Sequence, residues 1–427
     1  MESTQSLKFA GDVSIDKVQV VSSKGFFQDI TAQVITVQYY EDMFSPFITG
    51  NLIIKESLDL VNLFPFVGEE YVNIEISTPT IEQKIKGTYY IYKMTDRELI
   101  GDKEVVYKLH FISTEAIVDS NKKLSKVFYG KVSDLIKPFI VDRMDGLESK
   151  KELVVEETSN QTKYISNFWS PVKNIMYLCE HAVNTNNTPN YVFFENRQGF
   201  YFVSLDALYA SNPYQSFVYD KYNRDSLPGG GDARNTAEDY TRILDLSIPT
   251  AFDYLDRINS GMLSSRIHSY DIIRKTYTAR NYNIFNKFDK VNHLNPNPLN
   301  SSGVIFKNNA TIINYPRMFN NFNSFGDATN FKTIQERLSS MKVSNAHQLE
   351  ITVPGRTDYT VGQKVSVVLN KVEATAASDS DLTDRMFSGF YLVSAINHVI
   401  SRESHECNME LIKESLQADV NNTEGSK

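Results

Sequence analysis

The segment YYEDMFSPFITGNLIIKES, Tyr39 to Ser57, joins a polar-aromatic run to an apolar one across Met43, Phe44, Pro46 and Phe47. Short connections between strands normally carry Gly, Asn, Asp or Ser, which suit turn geometry. Bulky apolar residues there need burial of their own. They line a substrate pocket, plug a local core or dock on another chain.

Working outward, residues 13–115 read as antiparallel strands. EEYVNIEIS puts Val72, Ile74 and Ile76 on one face and Tyr71, Asn73 and Glu75 on the other, and EVVYKLHFIS repeats the pattern with Val105, Tyr107, Leu109 and Phe111. The period then changes. In KVSDLIKPFIVDR, Val132, Leu135, Ile136, Phe139 and Ile140 form a helical stripe, with Pro138 as a kink or boundary. WSPVKNIMYLCEHAV predicts a second helix, with Ser170 as N-cap and Pro171 in the first turn. NYVFFENRQGFYFVSLDAL reads as a hairpin turning at Arg197-Gln198-Gly199. Residues 281–335, rich in Asn, Phe and Pro without either period, read as a long insertion. Strand patterns return at HQLEITVPG, QKVSVVLN, GFYLVSAINHV and ECNMELIKE, and a frayed tail is expected from Gln417.

Parts of the pattern recur in order. FDYLDRINSGMLSSRIH aligns with the opening segment: Asp42 with Asp253, Phe44 with Leu255, Phe47 with Ile258, Gly50 with Gly261, Leu52 with Leu263 and Lys55 with Arg266. The strand at Gly68 matches that at Gly362, Gly87 with its following tyrosine matches Gly389, and VYKLHFI matches CNMELIK. This predicts an internal duplication split by the insertion. Two β units in one chain can close a ring, and a trimer of such chains is pseudo-sixfold.

The totals exclude several classes. A chain of 427 residues implies roughly two to four domains. The aromatic fraction of 12% favours a β-rich protein. A net charge of −8 argues against a dedicated nucleic-acid binder, though not against a channel that passes DNA without gripping it. Cys179 and Cys407 are far apart, with no CxxC to suggest a disulfide framework or structural zinc. No signal peptide or membrane-spanning run is visible, and a cytosolic origin is expected.

Candidate chemistry is thin. Gly229-Gly230-Gly231 lacks the Lys-Ser/Thr of a phosphate loop and reads as a flexible loop. His398, His405, Glu406 and Cys407 are metal-ligand types without a recognised spacing, and are expected to be ordinary strand positions. No nucleophile–base or paired-carboxylate signature emerges, so no catalytic residue, cofactor or metal site is expected. Trp169 is expected to pack at its helix entry rather than form a ligand platform.

The opening segment, extended through SLDLVNLFPFVGEEYVNIEISTP, resembles the central baseplate hub proteins of T-even-type contractile-tailed phages. WSPVKNIMYLCEHAV, YVFFENRQGFYFVSLDAL and LEITVPGRTDYTVGQKVSVVL resemble the same family and the related hub modules of contractile injection systems. The resemblance implies a β-rich α+β multidomain fold: two duplicated tube-like antiparallel β-barrel domains and a mixed α/β insertion domain. The expected boundaries are 1–115 for the first barrel, 116–190 for the mixed domain, and 191–280 with 336–416 for the second barrel; 281–335 is an insertion and 417–427 a tail. It further implies a homotrimer in the virion tail baseplate, assembled in the host cytoplasm, contacting a tail tube protein, a central spike protein, a tape-measure protein and baseplate wedge proteins. DNA would only pass through the bore, with no membrane insertion and no enzymatic activity. Phe44, Pro46, Phe47, Leu255 and Ile258 are then expected to cap a barrel end or touch a neighbouring unit. Lys55 and Arg266 are expected at the bore or a barrel contact, or as plain strand-end charges. The alternatives are a carbohydrate-binding or carbohydrate-degrading β-rich tail protein, or the equivalent hub of a bacterial contractile injection apparatus.

Overall fold

A computed structural model describes residues 9–58, 61, 64, 66–100, 103–219, 239–251, 253–271, 275–300, 311–317, 326–371 and 383–419. The N-terminal part holds β1 (Ser14–Val21), β2 (Phe27–Asp29), β3 (Val34–Asp42), β4 (Thr49–Glu56), β5 (Tyr71–Ser77), β6 (Ile85–Ile100) and β7 (Glu104–Ser113). They pair antiparallel in the order β2-β1-β5-β6-β7-β4-β3. Alternation decides which face is buried: Val37, Tyr39, Leu52, Ile54, Val72, Ile74, Leu109 and Phe111 share one core. The sheet curls back, because β2 pairs with β1 and leads directly into β3, which pairs with β4.

A mixed body follows, with β8 (Val127–Lys131), β9 (Glu152–Val155), β10 (Gln161–Ile165), β11 (Tyr191–Asn196) and β12 (Gly199–Ser204). The helices Val132–Val141 and Pro171–His181 pack together over it, and Ser170 caps the second by accepting from Lys173 N. Pro138 is accommodated inside the first helix, whose last turn ends at Val141. Trp169 packs beside Tyr164 and Tyr177 against this core. Its wall is the β11–β12 hairpin, because β12 pairs parallel with β9. Residues 191–204 were expected in the second barrel. They pair instead with β9 of the mixed body, with Tyr191, Phe193, Phe200 and Phe202 buried against the helical stripe, while Val192, Phe194 and Val203 on the other face enter the core of the second strand set.

The third set is discontinuous. It begins with β13 (Gln215–Tyr219) and β14 (Asp245–Thr250). The chain then leaves for β15 (Ser264–Asp271), β16 (Thr276–Asn283), β17 (Asn297–Pro298), β18 (Ile312–Arg317) and the helix Gly326–Ser344. It returns as β19 (His347–Pro354), β20 (Lys364–Leu369), β21 (Gly389–Ser401), β22 (His405–Lys413) and β23 (Ser415–Leu416). The insertion thus starts directly after Thr250 rather than at residue 281, and it carries its own three-stranded sheet, β16-β15-β18. β17 pins it to β23, the last strand among the described residues.

Strands β13-β20-β21-β22-β19-β14 pair in the same order as β1-β5-β6-β7-β4-β3. Residues near Thr241 and Ile243 bond back to Val218 on β13, so this set also curls round. Register agrees in detail. Tyr89 lies opposite Val72 as Tyr391 lies opposite Val365, and Ile91 opposite Phe111 as Val393 lies opposite Leu411. A bulge follows Ile91 in β6 and Val393 in β21. One difference stands: β13 runs parallel to β20, whereas β1 runs antiparallel to β5.

The two sets are joined edge to edge by β3 and β21, making one 13-stranded sheet. The connection Met43 to Ile48 lies at this join and touches three cores. Met43 is wholly buried in the core of the second set, Phe47 packs on the mixed body, and Ile48 sits in the core of the first set. Gly50 follows, where a Cβ would fall 2.2 Å from Phe111 Cζ and 2.4 Å from the Gln38 carbonyl oxygen. Met43→Ala is expected to lower unfolding stability by about 2–5 kcal/mol, and Gly50→Ala by about 1–3 kcal/mol through overpacking. Urea melts followed by circular dichroism test both; near-zero changes would mean that the join is loosely packed.

Candidate functional site

The residues expected to act at interfaces scatter. Phe44 is 38% exposed, Pro46 half-buried, and Phe47 covered by the mixed body. Leu255 is 76% exposed on the short helix Tyr254–Asn259, while Ile258 packs with Met262, Leu263, Val343 and Ala346 inside the insertion. Lys55 makes an exposed ion pair with Glu104 at 2.8 Å. Arg266 lies on β15, outside the joined sheet, so it is no counterpart of Lys55. Register gives that place to Pro354: Lys55 pairs with Val106 on β7, and Pro354 with Glu406 on β22. Gly229-Gly230-Gly231 lies outside the described residues.

What the structure assembles instead is a polar seam beside the Met43–Ile48 connection. Glu41, on the inward phase of β3, is buried. It accepts from Arg197 N at 2.7 Å, from Val361 N at 3.1 Å and from the Thr360 hydroxyl. One carboxyl therefore holds the mixed body and the second strand set to the first. Burial pushes it up to about 7, against the pull of those three donors and the Arg197 charge. Glu195, from the FFEN run of β11, mirrors it. It accepts from Ile48 N at 3.1 Å, the Ser113 hydroxyl at 2.5 Å and Lys151 Nζ at 2.5 Å. Lys151 also reaches Glu115 at 2.7 Å. Burial raises the Glu195 carboxyl and Lys151 opposes it. At Glu115 burial is outweighed by Lys151 and Ser149, which leave that carboxyl lowered.

The joined sheet has a polar outer face. Tyr40, Asn397, Asn408, Thr352 and Asp245 stand side by side across β3, β21, β22, β19 and β14. The next row carries Asp42, Glu410 and Glu350, with the last two directly opposite each other. Like charges facing across a strand pair oppose sheet formation. The row is acidic and open. A third cluster is enclosed: His398, His405 and Cys407 are buried with their donor atoms within 4.8 Å of one another, while Glu406 faces out. Burial pushes His398 down to about 3 and His405 well down, with the His398 charge adding to the latter, and burial raises Cys407.

No family model matches the chain. Over 409 aligned residues it is 20% identical to the probable baseplate hub protein gp334 of Vibrio phage KVP40, covering 91% of this chain and 92% of that protein. The chain is a relative of phage baseplate hub proteins. Its fold matches a tail protein from Neisseria meningitidis MC58 with a TM-score of 0.55 at 12% identity, over 94% of this chain and 97% of that one. It also matches the 43 kDa tail protein of prophage MuSo2 from Shewanella oneidensis, with a TM-score of 0.55 at 6% identity, over 93% and 98%. The resemblance read from the sequence, which left out residues 281–335 and the tail, is thus matched by a relative aligned over 91% of the chain. Among the described residues no helix is long and apolar enough to cross a membrane.

Glu41 supplies the pH test. Its carboxyl lies above the ordinary 4.5, so the folded chain holds the proton more tightly than the unfolded chain. Its stabilising contribution is complete below 4.5 and is lost as pH rises through about 7. The loss is about 3 kcal/mol. Melting temperature is expected to fall between pH 5 and 8, and Glu41→Gln to flatten that slope; an unchanged slope in the variant would remove Glu41 as its source.

Proposed function

We propose that this chain is a structural hub of a contractile phage tail baseplate, with two barrel-like strand sets that form a pseudo-sixfold ring when three chains associate. The observation that carries this reading is the β3–β21 pairing, which joins two sets of matching strand order. In that order β14 is the counterpart of β3, and β6 the counterpart of β21. The far half of β6, from Lys93 onward, pairs only with β7 among the described residues, and β14 ends the sheet. Both are exposed, with Leu99 at 75% and Ile248 at 41%. An open strand edge is a template for another chain. A ring follows when β14 of each subunit lies along the far half of β6 in the next, repeating the internal β3–β21 join. Three internal and three external joins then alternate.

Such a ring presents near-sixfold symmetry to a tail tube protein and true threefold symmetry to a central spike protein. Wedge proteins would hold its outside. The acidic row Asp42, Glu410 and Glu350 suits the bore, where like charge would let DNA slide behind the tape-measure protein without adhering. In this reading the chain carries no catalysis, resides in the virion tail and is assembled in the host cytoplasm.

Light scattering and negative-stain imaging, with and without the cognate spike, test the assembly. A three-chain ring with a central hole is expected, its obligate contacts burying more than about 2,000 Å². Leu99→Asp and Ile248→Asp should each leave a folded monomer. Monomers that persist with the spike present, or trimers indifferent to both substitutions, would overturn the reading.

A further inference from the structure

The cluster at the β21–β22 pairing does more than fill space. His398 lies directly opposite Cys407, and His405 precedes Cys407 by two residues on the same face. All three side chains therefore enter the core together. His398 Nδ1 is 3.0 Å from His405 Nε2. Cys407 Sγ is 3.2 Å from the first nitrogen and 3.5 Å from the second. A tetrahedral zinc site has Zn–N near 2.0–2.1 Å and Zn–S near 2.3 Å, which sets ligand edges of about 3.3 Å between nitrogens and about 3.6 Å from nitrogen to sulfur. The triangle here is nearly that of a ligand set.

We propose that His398, His405 and Cys407 bind one thiophilic cation, Zn(II) or Cu(I). Three further observations support it. The side chains are at most 1% exposed, so no solvent competes for the donors. His398 also meets the Tyr39 ring edge-on and the Tyr359 backbone, contacts that fix the orientation of its ring toward the thiol. The two nitrogens and the sulfur meet at hydrogen-bond distance, and a cation between them would replace those bonds with one ligand bond to each. The space is also made by glycine: a Cβ on Gly355 would lie 2.2 Å from His405 Cδ2. Two imidazoles with one thiolate favour soft ions over Mg(II) or Ca(II). On binding, the Cys407 S–H bond breaks, its proton leaves to solvent, and sulfur donates the freed pair to the metal. The ion would clamp β21 to β22 where β21 also pairs with β3.

The test is elemental analysis of the full chain, purified without chelator and also refolded with Zn(II), Cu(I) or Co(II). About one equivalent of zinc or copper per chain is expected, with a thiolate-to-metal charge-transfer band in the Co(II) form. Cys407→Ser and His398→Gln should each lower metal content about ten-fold or more. Cys179→Ala, at the other buried cysteine in the mixed core, should leave it unchanged. If the cluster variants do not fold, the wild-type measurement decides alone. A folded wild-type chain that holds no stoichiometric metal as purified or after refolding with any of the three ions would make the cluster a plain thiol–imidazole hydrogen-bond triad and overturn the proposal.

Discussion

A carboxyl group taken out of water needs fixed donors, and Glu41 finds them on two other parts of the chain. Arg197 N comes from the mixed body and Thr360 with Val361 from the second strand set. Backbone donors cannot rotate away as side chains can, so satisfying Glu41 fixes the mutual placement of all three bodies. Glu195 imposes the same constraint from the other side through Ile48 N and Ser113. Between the two carboxyls, Met43, Phe47 and Ile48 each enter a different core. The bulky connection is thus a rivet within one subunit. A pocket is not needed to explain it, and only Phe44 is left facing outward.

In the proposed ring this rigidity would have a mechanical use. A subunit spanning two ring positions would transmit load only if those positions could not hinge. Continuous pairing of β3 with β21 supplies stiffness along the sheet, and the buried carboxyls supply it across the layers. Polar groups of this sort gain little net stability, but they strongly disfavour any arrangement that leaves them unpaired. That asymmetry favours one geometry over nearby ones, as an adaptor between tube and spike would require.

Alternation made the large sheet legible in the sequence, and the Ser170-Pro171 pair correctly marked a helix start. The match of residues 39–57 to residues 250–268 does not follow the strands: only Thr250 of that stretch lies on β14, and what comes after it is a short helix and β15. In strand order β14 holds the place of β3, and the strand that pairs with it is β19, beyond the insertion. A strand pattern carries no address, and β15 supplied one that looked suitable. The cysteine–histidine cluster was discounted because its donors follow no spacing. They converge through cross-strand register, a long-range property absent from local sequence. Glu41 did leave a signal: Val37, Tyr39 and Glu41 share one phase of β3, which puts a carboxyl on an inward face.

The contrast between the two strand sets shows where such a fold is constrained. A bulge after Ile91 and another after Val393 sit at matching register, although the surrounding residues differ. A one-residue slip would turn every inward side chain outward, so register tolerates no change once one face is buried. Connections face no such rule, because lengthening a loop costs entropy only slowly. The link from β3 to β4 is residues 43–48, whereas that from β14 to β19 is residues 251–346 with a sheet of its own. The short link is the one caught between three cores, where nothing can be added without parting them. The long one leaves from the exposed end of an edge strand, where a whole body can be inserted without disturbing a single pair.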